Sequence, residues 1–212
     1  MLQRLFVLLL LLAAAPLSQA QPFEAGRDYQ RIEPAQPTAA GGKIEVLEVF
    51  GYPCIHCAHA APDIARWRKT LPADVQFGFV PAVFGGVWEA YARAYYTAET
   101  MGVLERTHDK LFEVLHVEQR PIRNLDDIAA FYAEYGVDKN AFLATFNSFP
   151  VNAKIAQANE KVAGYGVEGT PTMIVAGKYR VMSPGGEDGF ERMLKVVDHL
   201  IALERGEKQA AR

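Results

Sequence analysis

The sequence predicts an α/β fold whose sheet frame is interrupted by a long helical insertion. Three observations carry that prediction. Alternating, β-branched runs at residues 43–50 and 75–80 flank a segment with helical spacing, which gives β-α-β. Two further strand-like runs, at residues 172–175 and 179–182, come only near the C-terminal end. Between the two sets, residues 87–164 follow a helical pattern throughout.

The 212 residues suit one domain, or one domain carrying a large insertion, and a hydrophobic share of 50% can build a core. The net charge is -3 with no basic block, so nothing points to nucleic acid or to an anionic membrane surface. No Gly-rich phosphate loop is present, which argues against a nucleotide-dependent enzyme.

Residues 1–20 differ in kind from the rest. Arg4 gives a positive n-region, an apolar run follows, and Ser18-Gln19-Ala20 places small residues where a signal peptidase reads. The run is short for a bilayer span of about 20 residues. The expectation is a signal peptide cleaved near Ala20, with an uncleaved anchor as the alternative. Residues 21–42, rich in Pro, Ala and Gly, read as an N-terminal arm with Tyr29 and Ile32 packing onto the body.

Residues 43–50 (KIEVLEVF) form a strand apolar on both faces, which suits the centre of a sheet. A helix is expected from about Cys57 to Lys69, kinked by Pro62, which removes a donor and clashes one turn back. The strand at 75–80 completes β-α-β, and the helical crossover favours parallel order.

In the insertion, Trp88, Tyr91, Tyr95 and Ala98 give one apolar face, and Leu104, Leu111, Phe112 and Leu115 another. Asn124 caps a helix whose Ile128, Phe131, Tyr132 and Tyr135 follow i, i+3, i+4, i+7 spacing. Gly136 closes it, Asp138 caps the next helix, and Gly164 stops a last one beginning near Val151. Gly177-Lys178 then turns the strand at 172–175 into its hairpin partner, and a final helix runs from about Gly186 to Glu204.

The chemistry sits in Gly51-Tyr52-Pro53-Cys54-Ile55-His56-Cys57, which holds both cysteines of the chain. Cys54 falls where a strand turns into a helix N-terminus, and there free N–H groups and the helix dipole favour an anion. A thiolate is that anion and is the reactive form of cysteine. A protonated His56 would add to the effect. In an exported chain the pair could instead be a structural disulfide, but a bridge over two intervening residues constrains the unfolded chain very little.

His59 adds a fourth metal-ligating type, yet four ligands within six residues cannot easily surround a tetrahedral ion, so no metal is expected. His108, His116 and His199 sit in helical patterns without partners and read as surface or interface residues. Phe50, Tyr52, Phe84 and Met173 are expected to leave apolar surface beside Cys54 for unfolded substrates. Further along, Gly169-Thr170-Pro171-Thr172 places a proline at the mouth of a strand, where it cannot donate to the ladder. A cis Thr170–Pro171 bond would turn the Thr170 backbone outward for an extended peptide; an ordinary trans proline is the alternative.

Pro53-Cys54-Ile55-His56-Cys57 after LEVF, a helical insertion, and then Gly169-Thr170-Pro171-Thr172 together resemble the DsbA family of exported thiol–disulfide oxidoreductases. The resemblance spans nearly all of the chain beyond the leader. It implies a thioredoxin fold with a large inserted all-helical domain: the frame at residues 43–86 and 165–205, the insertion at 87–164. It also implies a cis Pro171, and the roles of attacked cysteine for Cys54, shielded cysteine for Cys57 and tuning histidine for His56. Ile55 departs from the best-known members, which carry proline there, and this puts the redox poise in question. The family also has a buried acid near the second cysteine, which falls on Glu48. Glu48 either relays protons for Cys57 or points to solvent at a strand end.

The expected function is a dithiol oxidase that donates a Cys54–Cys57 disulfide to reduced, unfolded proteins. No other cofactor is expected. The resemblance implies a periplasmic, monomeric protein reoxidised by a quinone-linked DsbB-like inner-membrane partner. A reductase or isomerase is the nearest alternative; one of another class is a non-catalytic chaperone binding peptides beside Pro171.

Overall fold

The computed structural model describes residues 23–186 and 188–210. The leader expected over residues 1–20 and its cleavage near Ala20 lie outside them.

A five-stranded sheet forms the frame, in the order β1 (Gln30–Arg31), β5 (Tyr179–Met182), β4 (Thr172–Val175), β2 (Ile44–Phe50), β3 (Val75–Pro81). Its central strand, β2 (Ile44–Phe50), is buried along its whole length. Burial on both faces explains its run of branched residues, each contributing about 1.5–3 kcal/mol on removal from water. β3 (Val75–Pro81) lies parallel to β2, as a crossover helix requires. That helix is α1 (Ile55–Trp67), followed by a short 3₁₀ turn, Arg68–Thr70.

The start of α1 lies nearer the cysteines than the pattern suggested, because Cys54 itself caps the helix. Pro62 is carried inside one continuous helix. It leaves the Ala58 carbonyl without its i+4 donor but does not divide the element.

Between β3 and β4 run α2 (Val87–Thr100), α3 (Leu104–Phe112), α4 (Leu125–Glu134), α5 (Lys139–Phe146) and α6 (Phe149–Gly164). Asn124 and Asp138 cap α4 and α5 as expected, each accepting from the backbone N–H three residues on at 2.9 and 2.7 Å. Gly136 closes α4: its N–H reaches Ala133 O and that of Val137 reaches Tyr132 O, at 3.0 and 3.3 Å, with φ +79° at the glycine. Gly164 does not close α6. It remains helical, and Gly166, at φ +61°, takes the closing position: its N–H reaches Ala163 O and that of Val167 reaches Val162 O.

β4 (Thr172–Val175) lies antiparallel to β2 and turns through Ala176 and Gly177, both at positive φ, into β5 (Tyr179–Met182). The arm contributes a short edge strand, β1 (Gln30–Arg31), which the sequence pattern does not reveal. Tyr29 and Ile32 are buried, as expected. α7 (Gly189–Ala210) extends beyond the expected end at Glu204.

Three clusters of the core meet at β2 and the loop after it. Ile44 and Val46 of β2 pack with Ile64 of α1 and Val197 of α7 on one face. Leu47 and Val49 pack with Val162 of α6 on the other. Phe50 and Tyr52 join Tyr95 of α2, Phe112 of α3 and Phe131 of α4. The cysteines belong to this third cluster, so the inserted helices reach the motif directly.

Candidate active site

The loop after β2 is fixed by close approach. A Cβ on Gly51 would lie 2.2 Å from the Trp88 ring, so a residue without a side chain is needed there. The Phe50 carbonyl accepts from Ala82 N–H at 2.7 Å, and the Cys54 N–H closes a turn onto Gly51 O at 3.0 Å. Cys54 then takes an extended conformation (φ -84°, ψ 113°) at the head of α1, and its sulfur accepts from the Cys57 N–H at 3.3 Å. A sulfur at the N-cap meets one of the donors that a helix start leaves free.

The two sulfurs differ in surroundings. Both are thiols here, Cys54 8% exposed and Cys57 fully buried. The Cys57 thiol, then the Thr170 side chain and the backbone N–H groups of Cys57 and His56, hold the Cys54 thiol down at about 5, against the opposing effect of burial. Burial, and then the neighbouring Cys54 sulfur and Glu48, push Cys57 far up. The lower value belongs to the sulfur at the rim, the one a partner thiol can reach.

Thr170, 116 positions further on, presents its carbonyl to Cys54, whose thiol donates to it at 3.3 Å. The Thr170–Pro171 bond is cis, as the resemblance implies; Glu33–Pro34, which no motif marks, is cis as well. Pro171 is buried and Thr170 half-buried at the surface of this junction.

Glu48 points inward and is 3% exposed, so the solvent-facing alternative falls. It pairs across the sheet with Phe79 and Met173. Burial raises its carboxyl to about 8; the Cys54 and Asp109 charges add to the rise and Arg68 opposes it. A cavity of about 10 Å³, the scale of one water, adjoins Glu48 and is walled by Arg68, Phe79, His108 and Asp109 among others.

Expectations about the surroundings change at five residues. Phe50, Tyr52 and Met173 are buried and form no surface; of the four apolar residues expected there, only Phe84 is exposed. The apolar rim is instead Ile55 at 43% and Val117 at 76% exposure. They bound a groove of about 380 Å³ along α1, which Ala58, Pro62 and Phe112 also line. His108 is buried, and its neutral form is favoured because burial, then Arg68, lower it to about 3. His116 is half-buried and bonded to Tyr52. His56 and His59 are exposed on the first turns of α1. Among the described residues no group of three or more His, Cys, Asp or Glu side chains is placed to hold a metal ion.

Residues 54–195 match the family model described as a DSBA-like thioredoxin domain. Over 193 residues the chain is 44% identical to the thiol:disulfide interchange protein DsbA of Pseudomonas syringae pv. tomato, covering 91% of this chain and 90% of that one. It is 40% identical to the protein of the same name from Pseudomonas aeruginosa over 206 residues, 95% of this chain and 97% of that one. Among solved structures, oxidoreductase DsbA from Xylella fastidiosa superposes with a TM-score of 0.82 at 41% identity, over 88% of this chain and all of that one. Pseudomonas aeruginosa DsbA gives 0.83 at 40%, over 90% of this chain and 98% of the other.

Proposed function

The chain belongs to the DSBA-like thioredoxin domain family and is a thiol–disulfide oxidoreductase acting on reduced proteins; from that premise we propose that it works as a dithiol oxidase through Cys54 and Cys57. The observation that supports this reading is the opposed pair of thiol affinities, low at the rim and high in the interior.

In the oxidised form a substrate thiolate attacks the Cys54 sulfur, the Cys54–Cys57 bond breaks, and Cys57 leaves as a thiolate. Buried Cys57 holds a proton strongly, and Glu48, neutral below about pH 8, is the acid beside it that can supply one. The substrate's second thiolate then attacks its own bridged sulfur and expels the Cys54 thiolate. The sum is one substrate disulfide formed, the protein's disulfide reduced by two electrons, and the dithiol seen here left behind. A good leaving thiolate makes a strong oxidant, and the N-cap position makes Cys54 one. DsbA is itself among the proteins on which this relation between thiol pKa and oxidising strength rests.

His56 contributes its backbone N–H to Cys54 and carries a side chain free to meet solvent or substrate. Thr170 and Pro171 hold the backbone edge against which a substrate segment would lie, and the groove beside Ile55 is the apolar surface that would receive it. Turnover in the cell then needs reoxidation of the dithiol. The periplasm, a monomeric state and a quinone-linked DsbB-like partner are the remaining parts of the proposal, supported by the family resemblance and the sequence of the leader.

The test is the Cys54–Cys57 equilibrium in glutathione buffers, read as the fraction oxidised after acid quench. A pair that stays reduced until the buffer is strongly oxidising supports the oxidase. A disulfide that survives strongly reducing buffer supports the reductase instead.

A further inference from the structure

The inserted helices grip one residue of the active-site loop along its whole length. The Tyr52 side chain is buried, and its hydroxyl lies 2.9 Å from His108 Nδ1. Burial keeps the phenol protonated and the imidazole neutral, so a single proton is shared between the hydroxyl and Nδ1. The Tyr52 ring packs at 5.0 Å from the Phe112 ring, tilted by 54°. At the main-chain end, His116 Nε2 lies 2.7 Å from the Tyr52 carbonyl. A carbonyl only accepts, so Nε2 carries the proton and donates.

These three side chains are four positions apart in sequence and form one stripe. The first two are on α3, and His116 is on the segment Glu113–Val117 that continues it with π-helical winding, where Glu118 N–H reaches Glu113 O at 3.0 Å. Such widened turns alter the direction of the side chains they carry and recur at functional sites.

Tyr52 lies two residues before Cys54, within the turn that the Cys54 N–H closes onto Gly51. The carbonyl that His116 holds is therefore part of the loop that aims the first N–H groups of α1 at the Cys54 sulfur. We propose that His116, with His108 and Phe112, is a positioning residue for the reacting thiol: through Tyr52 it fixes the N-cap geometry that stabilises the Cys54 thiolate. The inserted helices thereby set the redox strength of a site they do not chemically enter. The inference rests on the reading of Cys54 as the reacting sulfur, and neither the cysteine motif nor the cis-proline loop accounts for it.

The experiment titrates the reduced protein by thiolate absorbance in the parent, His116→Leu and His116→Gln. It then measures the glutathione equilibrium of each. The titratable groups closest to that sulfur, Cys57, His56 and Glu48, are unchanged in all three. His116→Leu removes the donor, and the Cys54 midpoint rises while the protein becomes a weaker oxidant by about three- to tenfold, the range of one hydrogen bond. His116→Gln keeps an N–H of similar reach and recovers most of the loss. Equal midpoints and equal equilibria in all three proteins overturn the proposal, as does a glutamine variant no better than leucine. If His116→Leu does not fold, His116→Asn replaces it, since its amide is too short to reach. The titration reads the thiolate with no substrate present. Loss of the oxidase reading therefore leaves its outcome intact, and the converse also holds.

Discussion

The two ends of the Cys-x-x-Cys motif sit three residues apart and in opposite kinds of medium. Around Cys54 the chain supplies donors: the Cys57 thiol, the Thr170 side chain and the first N–H groups of α1. Around Cys57 it supplies enclosure, with Glu48 close by and aromatic residues of the inserted helices in the same cluster. A helix start offers its free N–H groups to one side only, so a single turn of backbone suffices to separate the two sulfurs. The contrast is thus a property of where the strand stops as much as of the cysteines.

The sharpest way to break the contrast is to remove one sulfur at a time. Cys54→Ser is expected to abolish oxidation of a reduced test protein. Cys57→Ser is expected to retain attack and accumulate mixed disulfides, visible as shifted bands on non-reducing gels. Retained turnover in Cys54→Ser would refute the mechanism.

Glu48→Gln tests the interior side. A protonated carboxyl beside Cys57 is expected to contribute at least about tenfold to the step that protonates its thiolate. An unaltered pH profile of Cys57 chemistry in the variant sinks the relay. The same substitution has a signature in stability. Glu48 titrates near 8 in the folded protein and near 4.5 as an ordinary carboxyl. The folded chain therefore keeps a proton that the unfolded chain releases, and stability falls as pH rises through that window. Glu48→Gln removes the fall, so its advantage in denaturant midpoint over the parent grows from pH 5 to pH 8.

Cys54 has the opposite sign. Its thiol titrates near 5 when folded against an ordinary 9.0. The stability it gives the dithiol form is complete above pH 9 and lost as pH falls through 5. The disulfide form lacks this contribution. Melting temperatures of the two forms are thus expected to move in favour of the dithiol between pH 5 and pH 9; a difference independent of pH would remove the thiolate from the account.

The smallest effect serves as the control. Asn124 caps α4 from an exposed position, its side chain bonded to the Asp127 N–H. Asn124→Ala should cost about 1 kcal/mol in urea unfolding and leave the thiol titrations untouched.

Much of this was legible in the residues. Alternation and branching mark β2, β3 and the final hairpin, and Gly-Tyr-Pro-Cys states where strand gives way to helix. Glu48 was ambiguous because a strand buried on both faces has no polar side to contrast with. Phe50, Tyr52 and Met173 were misplaced for a related reason: apolar residues beside a reactive cysteine can line it or lie beneath it, and one sequence does not distinguish these. The histidines were missed because helical periodicity reports which residues share a face and not what that face meets. The four-residue spacing of His108, Phe112 and His116 was available, but Tyr52, their common partner, lies more than fifty positions away. β1 is two residues long and shows no periodicity. Gly164 and Gly166 are both plausible stops for α6, and only the hydrogen bonds choose between them.

The 116 positions between Cys54 and the Thr170 carbonyl have a consequence for a chain made from its N-terminus. When β2, α1 and β3 are complete, the central strand still lacks its β4 neighbour, and that edge stays unpaired until all the inserted helices have been made. Long-range pairing of this kind forms late. The Thr170 carbonyl that meets Cys54 and the β4 neighbour of β2 are thus supplied only by the last quarter of the molecule, after every inserted helix that packs around the two sulfurs.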